Sequence, residues 1–208
     1  MKYYDITVPI RAGMPVYEGD PAVEITSISS IAKGDPCNVS RLILSTHTGT
    51  HIDAPLHFIK DGNSIDEIPM NILVGRAVVV EITDPIEISR QALIAAPLKG
   101  ERRVLFKTSN SNLWKENDFQ KQFVYMAEDA AKHLVEIGVK LIGIDYLSVG
   151  RFGSTTFATH LTLLDAGIVV VEGLNLAGIE PGNYELVCLP LRIAKGDGSP
   201  CRAVLIEI

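Results

Sequence analysis

Basic residues are in short supply along these 208 residues: 19 Lys and Arg stand against 25 Asp and Glu, a formal net charge of −6 with the five histidines neutral. Phosphate binding rests on clusters of Lys and Arg, and their absence argues against a nucleic-acid partner. Long apolar runs are missing as well. No window approaches the roughly 18 uninterrupted apolar residues of a membrane span, and MKYYDITVPI sets Asp5 where the apolar region of a secretory leader belongs. A soluble, cytoplasmic protein with no membrane partner is expected. Cysteine is scarce: Cys37, Cys188 and Cys201 are odd in number and form no CxxC pair. They fit free thiols in a reducing compartment, buried as small hydrophobes. Repeats, low-complexity tracts and interdomain linkers are absent too, so a single domain over residues 1–208 is expected.

What is present is a globular composition, 47% apolar and 21% charged, enough to bury a core. Tyr4 to Ile10, Val23 to Ile28, Val39 to Ser45, Arg76 to Ile82 and Arg103 to Lys107 are short β-rich runs bounded by Gly, Pro, Asn or Asp and read as strands. Met126 to Ile137 carries apolar residues at helical spacing, Glu128 four before Lys132 and Gly138 as a stop, so it reads as a helix. Val139 to Ile144 and Ile168 to Val171 are apolar strands flanking a second helix around Thr156 to Ala166, which predicts parallel pairing buried on both faces. Tyr184 to Ile193 and Arg202 to Ile208, split by KGDGSP, read as a hairpin with a long loop. The fold class is α/β, with a mixed α+β sheet.

Chemistry concentrates in Ser45 to Phe58, STHTGTHIDAPLHF. His47, His51, Asp53 and His57 are all odd-numbered, so in an extended segment their side chains would share one face. His47 and His51 also have helical spacing, but Thr48, Gly49, Thr50 and Pro55 make a helix the weaker choice. Imidazole and carboxylate together suit Zn²⁺, Mn²⁺ or Fe²⁺, and no cysteine lies nearby to build a thiolate site. Further on, Glu172 ends the apolar run IVVVE, where burial without a partner would be costly, and His160 sits on the helix just before. His133, beside Lys132 and Glu136 in the amphipathic helix, reads as solvated.

The run HTGTHIDAPLHF resembles the signature HxGTHxDxPxHF of the cyclase-like family of metal-dependent hydrolases, whose best-described members are bacterial kynurenine formamidases. PVYEGDP, GIDYLSVG, THLTLLDAGIVVVEGL and YELVCLPLRIAKGDGSPCRAVL resemble further segments of that family, so the likeness covers nearly the whole chain. It implies a swivelling β/β/α-type fold and a homodimer or higher homo-oligomer. It implies two divalent metal ions, zinc first, with manganese and iron accepting the same ligands. His47, His51 and Asp53 would bind the first ion, Asp53 bridging to a second held by His160 and Glu172, and His57 would be the general acid/base. Tyr17 matches a substrate-lining position that is typically tryptophan in the formamidases. Phe58, Phe152 and Phe157 are candidates for aromatic wall, and Asp145 and Ser148 for groups orienting the site.

Two divalent ions sharing a water can generate hydroxide while one polarises a carbonyl, a neutral histidine can accept and donate protons near pH 7, and no G-x-S-x-G elbow offers a serine route. The expected function is hydrolysis of a small-molecule aryl formamide such as N-formylkynurenine. The alternatives are a related hydrolase of another cyclic amide, lactone or carbamate-like substrate, and a non-catalytic metal or small-ligand binding protein.

Overall fold

The computed structural model describes residues 1–98 and 100–208. In chain order its strands are β1 (Tyr3–Asp5), β2 (Glu24–Ser29), β3 (Val39–Ile43), β4 (His51–Asp53), β5 (Val74–Glu81), β6 (Glu87–Ile88), β7 (Arg103–Lys107), β8 (Tyr125–Met126), β9 (Leu141–Ile144), β10 (Val169–Glu172), β11 (Gly182–Pro190) and β12 (Gly198–Glu207). Its α-helices are α1 (Met70–Leu73), α2 (Arg90–Ala95), α3 (Glu128–Glu136) and α4 (Ala158–Asp165). Seven strands close into a barrel in the order β12-β11-β5-β7-β9-β10-β4, because β4 pairs back onto β12. The free half of the same β12 edge takes β1. Within the barrel β5, β7, β9 and β10 run parallel, and the other pairings are antiparallel. The mixed α/β class expected from the sequence is therefore the one the chain adopts.

The near-continuous apolar strands are explained by burial on both faces. Alternate residues of the parallel strands, among them Val80, Phe106, Ile144 and Val170, lie beneath Leu93 of α2, Ala130 and Leu134 of α3 and Leu163 of α4. The intervening residues, such as Val79, Leu105, Leu141 and Val171, fill the barrel with Ile52, Leu186 and Leu205. Helix α3 buries Ala130, Ala131 and Leu134 and pairs Glu128 with Lys132 on its outer face at 2.6 Å, as its spacing predicts. Gly138, at φ 80, terminates it in the left-handed region.

Several boundaries move. β1 stops at Asp5: beyond it Ile6 still donates to the Ala203 carbonyl at 3.1 Å and Thr7 makes an isolated bridge to Leu174, and Pro9 has no amide hydrogen for a ladder. Met126 belongs to β8, paired in parallel with β6, so α3 begins two residues later than its pattern starts. The final hairpin loop lies earlier than KGDGSP implies, since β11 ends at Pro190 and β12 starts at Gly198. The β2–β3 hairpin stands off the barrel with Ile25, Ile28, Leu42 and Ile43 exposed. Cys37, in the connection of that hairpin, is exposed, which corrects the expectation of three buried thiols; Cys188 and Cys201 are buried, their sulfurs 3.4 Å apart.

Asp145 is another correction. It does not orient the site but braces the fold, buried just after β9. Its Oδ2 accepts from the Thr108 and Ser111 amides and the Ser111 hydroxyl, at 2.8, 3.1 and 2.7 Å, and Oδ1 accepts from the Thr108 hydroxyl at 2.8 Å. Asn at this position must turn an NH₂ donor toward other donors whichever way it flips. D145N is expected to cost on the order of 3 kcal/mol of stability, read as a lower urea midpoint at unchanged slope; an unchanged midpoint would contradict this role.

Candidate metal centre and substrate cavity

Strand β4 is three residues long, and its pleat does most of the positioning. His51 and Asp53 point to one side while Ile52 points into the barrel core. Its neighbours supply the rest: Glu172, the last residue of β10, stands directly across from His51, and Gly198 of β12 stands across from Asp53. A Cβ at Gly198 would collide with the His47 ring 2.6 Å away, so glycine there leaves the space that ring occupies. Gly173, at φ 71, lets the chain turn directly after Glu172 against the Gly49 backbone, and the Thr50 hydroxyl fastens that contact by donating to the Gly173 carbonyl at 2.6 Å.

The structure thus brings His47, His51, Asp53, His160 and Glu172 together, though not by the route the residue parity suggested. Only His51–Asp53 is extended; His47 lies in the preceding turn, and Pro55–His57 is a short 3₁₀ turn started by proline. Asp53 Oδ1 is 2.9 Å from His47 Nδ1 and 3.4 Å from His51 Nε2. Glu172 spans His51 and His160, Oε2 to His51 Nε2 at 3.5 Å and Oε1 to His160 Nε2 at 3.2 Å. Ligands of a tetrahedral ion at about 2.0–2.1 Å would lie roughly 3.3–3.4 Å from one another, so His51, Asp53 and Glu172, with His51 Nε2 3.4 and 3.5 Å from the two carboxylates, are spaced as a cation requires, whereas the 2.9 Å His47–Asp53 contact is a hydrogen bond.

A second observation supports the fit. Asp53 Oδ2, fully buried, has no hydrogen-bond partner among the described residues and faces His160 Nε2 at 4.0 Å. That leaves it a free lone pair on the side away from His47. The His51 ring is oriented for ligation as well: Nδ1 donates to the Gly49 carbonyl at 2.9 Å, which leaves Nε2 as the free donor atom.

The electrostatics point the same way. Burial favours the neutral form of both carboxyls, yet His47 and His51 hold Asp53 well below the usual carboxylate range. Burial and the Asp53 charge push Glu172 up, and His160 and His51 outweigh them. Burial also lowers His51, but Asp53 and Glu172 lift it well above the ordinary histidine range. Two buried carboxylates thus demand positive charge, from protons on the imidazoles or from a cation that displaces them.

This cluster lies at the wall of a cavity of about 660 Å³ that is also lined by Tyr17, His57, Phe58 and Phe157, within the size range of small-molecule sites. The His57 ring stacks on His47 at 3.9 Å and meets Phe58 edge-on at 4.2 Å, with no side-chain hydrogen bond among the described residues. Burial lowers its pKa. Its ring nitrogen also lies within ligand reach of His47 and Asp53. Tyr17 packs on Phe119 and Phe152 at 5.0 and 5.9 Å while facing the cavity. Phe157 is held at φ 49 where α4 begins, a conformation that costs a bulky residue on the order of 1–3 kcal/mol. It rests 5.2 Å from Phe58. Ser148 lines the cavity, whereas Phe152 supports Tyr17 from behind. His133 is paired with Glu136 at 3.4 Å, away from the cavity.

One residue was not singled out from the sequence. Asp197, in the turn before β12, receives the far nitrogen of His47 at 3.1 Å and the Thr46 hydroxyl at 3.2 Å, the arrangement in which an outer carboxylate orients a ligating imidazole. Its only sequence signal is an aspartate between two glycines in KGDGSP, which reads equally as turn chemistry.

Comparison with known proteins agrees with this architecture. The Cyclase family profile matches residues 4–151. A kynurenine formamidase of Salinibacter ruber is 39% identical over 208 residues, covering 99% of this chain and 97% of that protein. A solved structure described as a "predicted metal-dependent hydrolase" from Bacillus stearothermophilus is 37% identical and superposes with a TM-score of 0.85 over 98% of this chain and 97% of that one. An isatin hydrolase bound to thioisatinate, at 23% identity, shares the fold with a TM-score of 0.86 over 98% of this chain and 91% of its own. With its profile match running over most of the chain and its relatives aligned end to end, this chain belongs to the Cyclase family of metal-dependent hydrolases.

Proposed function

We propose that this protein is a metal-dependent amide hydrolase that cleaves N-formylkynurenine to kynurenine and formate, with His47, His51, Asp53, His160 and Glu172 holding two divalent ions, zinc in the first instance. The observation that carries this reading is the juxtaposition of that buried donor set with an aromatic cavity and an unengaged histidine. A bound divalent ion supplies Lewis acidity toward a carbonyl and lowers the pKa of a coordinated water toward neutrality.

The chain's own residues do the rest. Asp53, with one oxygen toward His47 and His51 and the other without a partner among the described residues and toward His160, would be the carboxylate shared by both ions. Asp197 keeps His47 in register. Tyr17, Phe58 and Phe157 present ring surface to an aryl group and exclude water around it. His57, its pKa lowered by burial and with no side-chain hydrogen bond among the described residues, would take a proton from the attacking water and pass it to the departing aryl nitrogen. Aniline-type nitrogen leaves poorly without that proton, which is why a free imidazole matters more here than in ester cleavage.

The exposed apolar residues of the β2–β3 hairpin support self-association as a homodimer or higher homo-oligomer; sedimentation of the full chain at the 22.6 kDa monomer mass across micromolar concentrations would contradict this. The free thiols suit a reducing, cytoplasmic compartment. The direct test of function is kynurenine release from N-formylkynurenine by the metal-loaded protein. Turnover supports the assignment, and its absence at full metal occupancy would overturn the substrate while leaving the metal centre standing.

A further inference from the structure

Five charged side chains line the cavity away from the donor cluster: Glu18, Asp20, Glu87, Glu128 and Arg151. Three of the acids already have a partner. Lys121 pairs with Glu18, the Tyr125 hydroxyl donates to Glu87 at 2.9 Å, and Lys132 pairs with Glu128 at 2.6 Å. Arg151 is the single Lys or Arg among the described lining residues, and it forms no ion pair with any described residue. Its guanidinium carbon lies 5.8 Å from the centroid of the Tyr125 ring, and the Tyr125–Glu87 hydrogen bond anchors that ring. Arg151 also follows Gly150, whose backbone is so close to His160 that a Cβ would come within 2.9 Å of the imidazole. An exposed, unpaired cation at the cavity rim therefore lies one residue along from the wall of the metal centre.

We infer that Arg151 is the specificity residue of this cavity, receiving the α-carboxylate of a substrate that carries an amino-acid head group. The inference rests on the hydrolase reading above and narrows it. A guanidinium without an internal partner offers paired N–H donors that match a planar carboxylate. Of the lining acids, Asp20 has no ion-pair partner among the described residues and Glu87 has only a neutral hydroxyl, so they would disfavour a simple carboxylic acid, whereas an α-amino acid brings an ammonium group that complements them. The cavity is thus suited to a zwitterionic aryl formamide, whose scissile amide lies at the metal centre while its head group lies at Arg151. A neutral bicyclic amide would leave Arg151 unused.

The test compares wild type, R151A and R151K on N-formylkynurenine and on 2-formamidoacetophenone, the same aryl formamide without the amino-acid group. For R151A the KM of N-formylkynurenine is expected to rise about 10- to 100-fold with kcat changed less than about threefold. R151K should fall between, and kcat/KM for 2-formamidoacetophenone should stay at the wild-type value. Calorimetric binding of kynurenine should weaken by at least about tenfold in R151A, with no change for 2-aminoacetophenone, a readout independent of turnover. Equal effects on both substrates, or none on either, would overturn the inference. Wild type that cleaves 2-formamidoacetophenone but not N-formylkynurenine would overturn it while the hydrolase reading stood. Wild type that cleaves neither would overturn the hydrolase reading and the inference with it.

Discussion

Replacing Asp53 by Asn is expected to lower the bound metal to below about 0.1 ion per chain and kcat/KM by about 10³-fold or more. Asp53 is 1% exposed and sits between two imidazoles, with Oδ1 2.9 Å from His47 Nδ1 and 3.4 Å from His51 Nε2, while Oδ2 has no donor among the described residues. Asn keeps the shape, removes the negative charge and replaces one acceptor with a donor, so the anionic ligand that would hold the metal is lost. At about 1.4 kcal/mol per tenfold, a 10³-fold loss corresponds to roughly 4 kcal/mol of transition-state stabilisation. If D53N fails to fold, Glu172→Gln tests the same point from β10, since Glu172 spans His51 and His160. Elemental analysis reads both variants, and metal retained at wild-type level in both would refute the ligand assignment.

His57→Ala is expected to act oppositely on the two readouts, with metal content unchanged and kcat lowered about 10²- to 10⁴-fold, the range for losing a positioned proton donor. The ring stacks on His47 but is hydrogen-bonded to nothing among the described residues, so its removal should leave the donor set in place. Loss of metal in H57A would instead make His57 a ligand, an outcome its position beside His47 and Asp53 makes geometrically accessible. The pH profile gives a further check. Burial, with a smaller contribution from His47, lowers the His57 pKa, opposed by Asp53. The neutral ring therefore persists to more acid pH than in a free histidine, and the acid limb of kcat/KM should lie below pH ~6.5. An acid limb above that value would assign the titration to another group.

What could be read from the sequence was what neighbouring residues encode. The parallel pair β9 and β10 was legible because both strands are apolar without alternation and α4 lies between them. The first half of the donor set was legible because His47, His51 and Asp53 fall within seven residues, and Glu172 because a carboxylate ends an otherwise apolar strand. What stayed hidden depends on contacts distant in the chain. Closure of the barrel rests on three-residue β4 pairing with both β10 and β12, and no local pattern announces a strand that short. Asp197 acts on His47 across 150 positions, and Asp145 owes its role to Thr108 and Ser111 on another segment. Arg151 has meaning only against the acids that line the same cavity.

The central claim is that this donor set makes the protein a metal-dependent hydrolase of N-formylkynurenine. It is tested most directly by following kynurenine absorbance before chelation, after exhaustive chelation, and as Zn²⁺, Mn²⁺ or Fe²⁺ is titrated back. The account predicts that turnover disappears with the metal and returns in proportion to restored ion, saturating near two per chain. Undiminished turnover in metal-free protein, or none in fully reloaded protein, would contradict it.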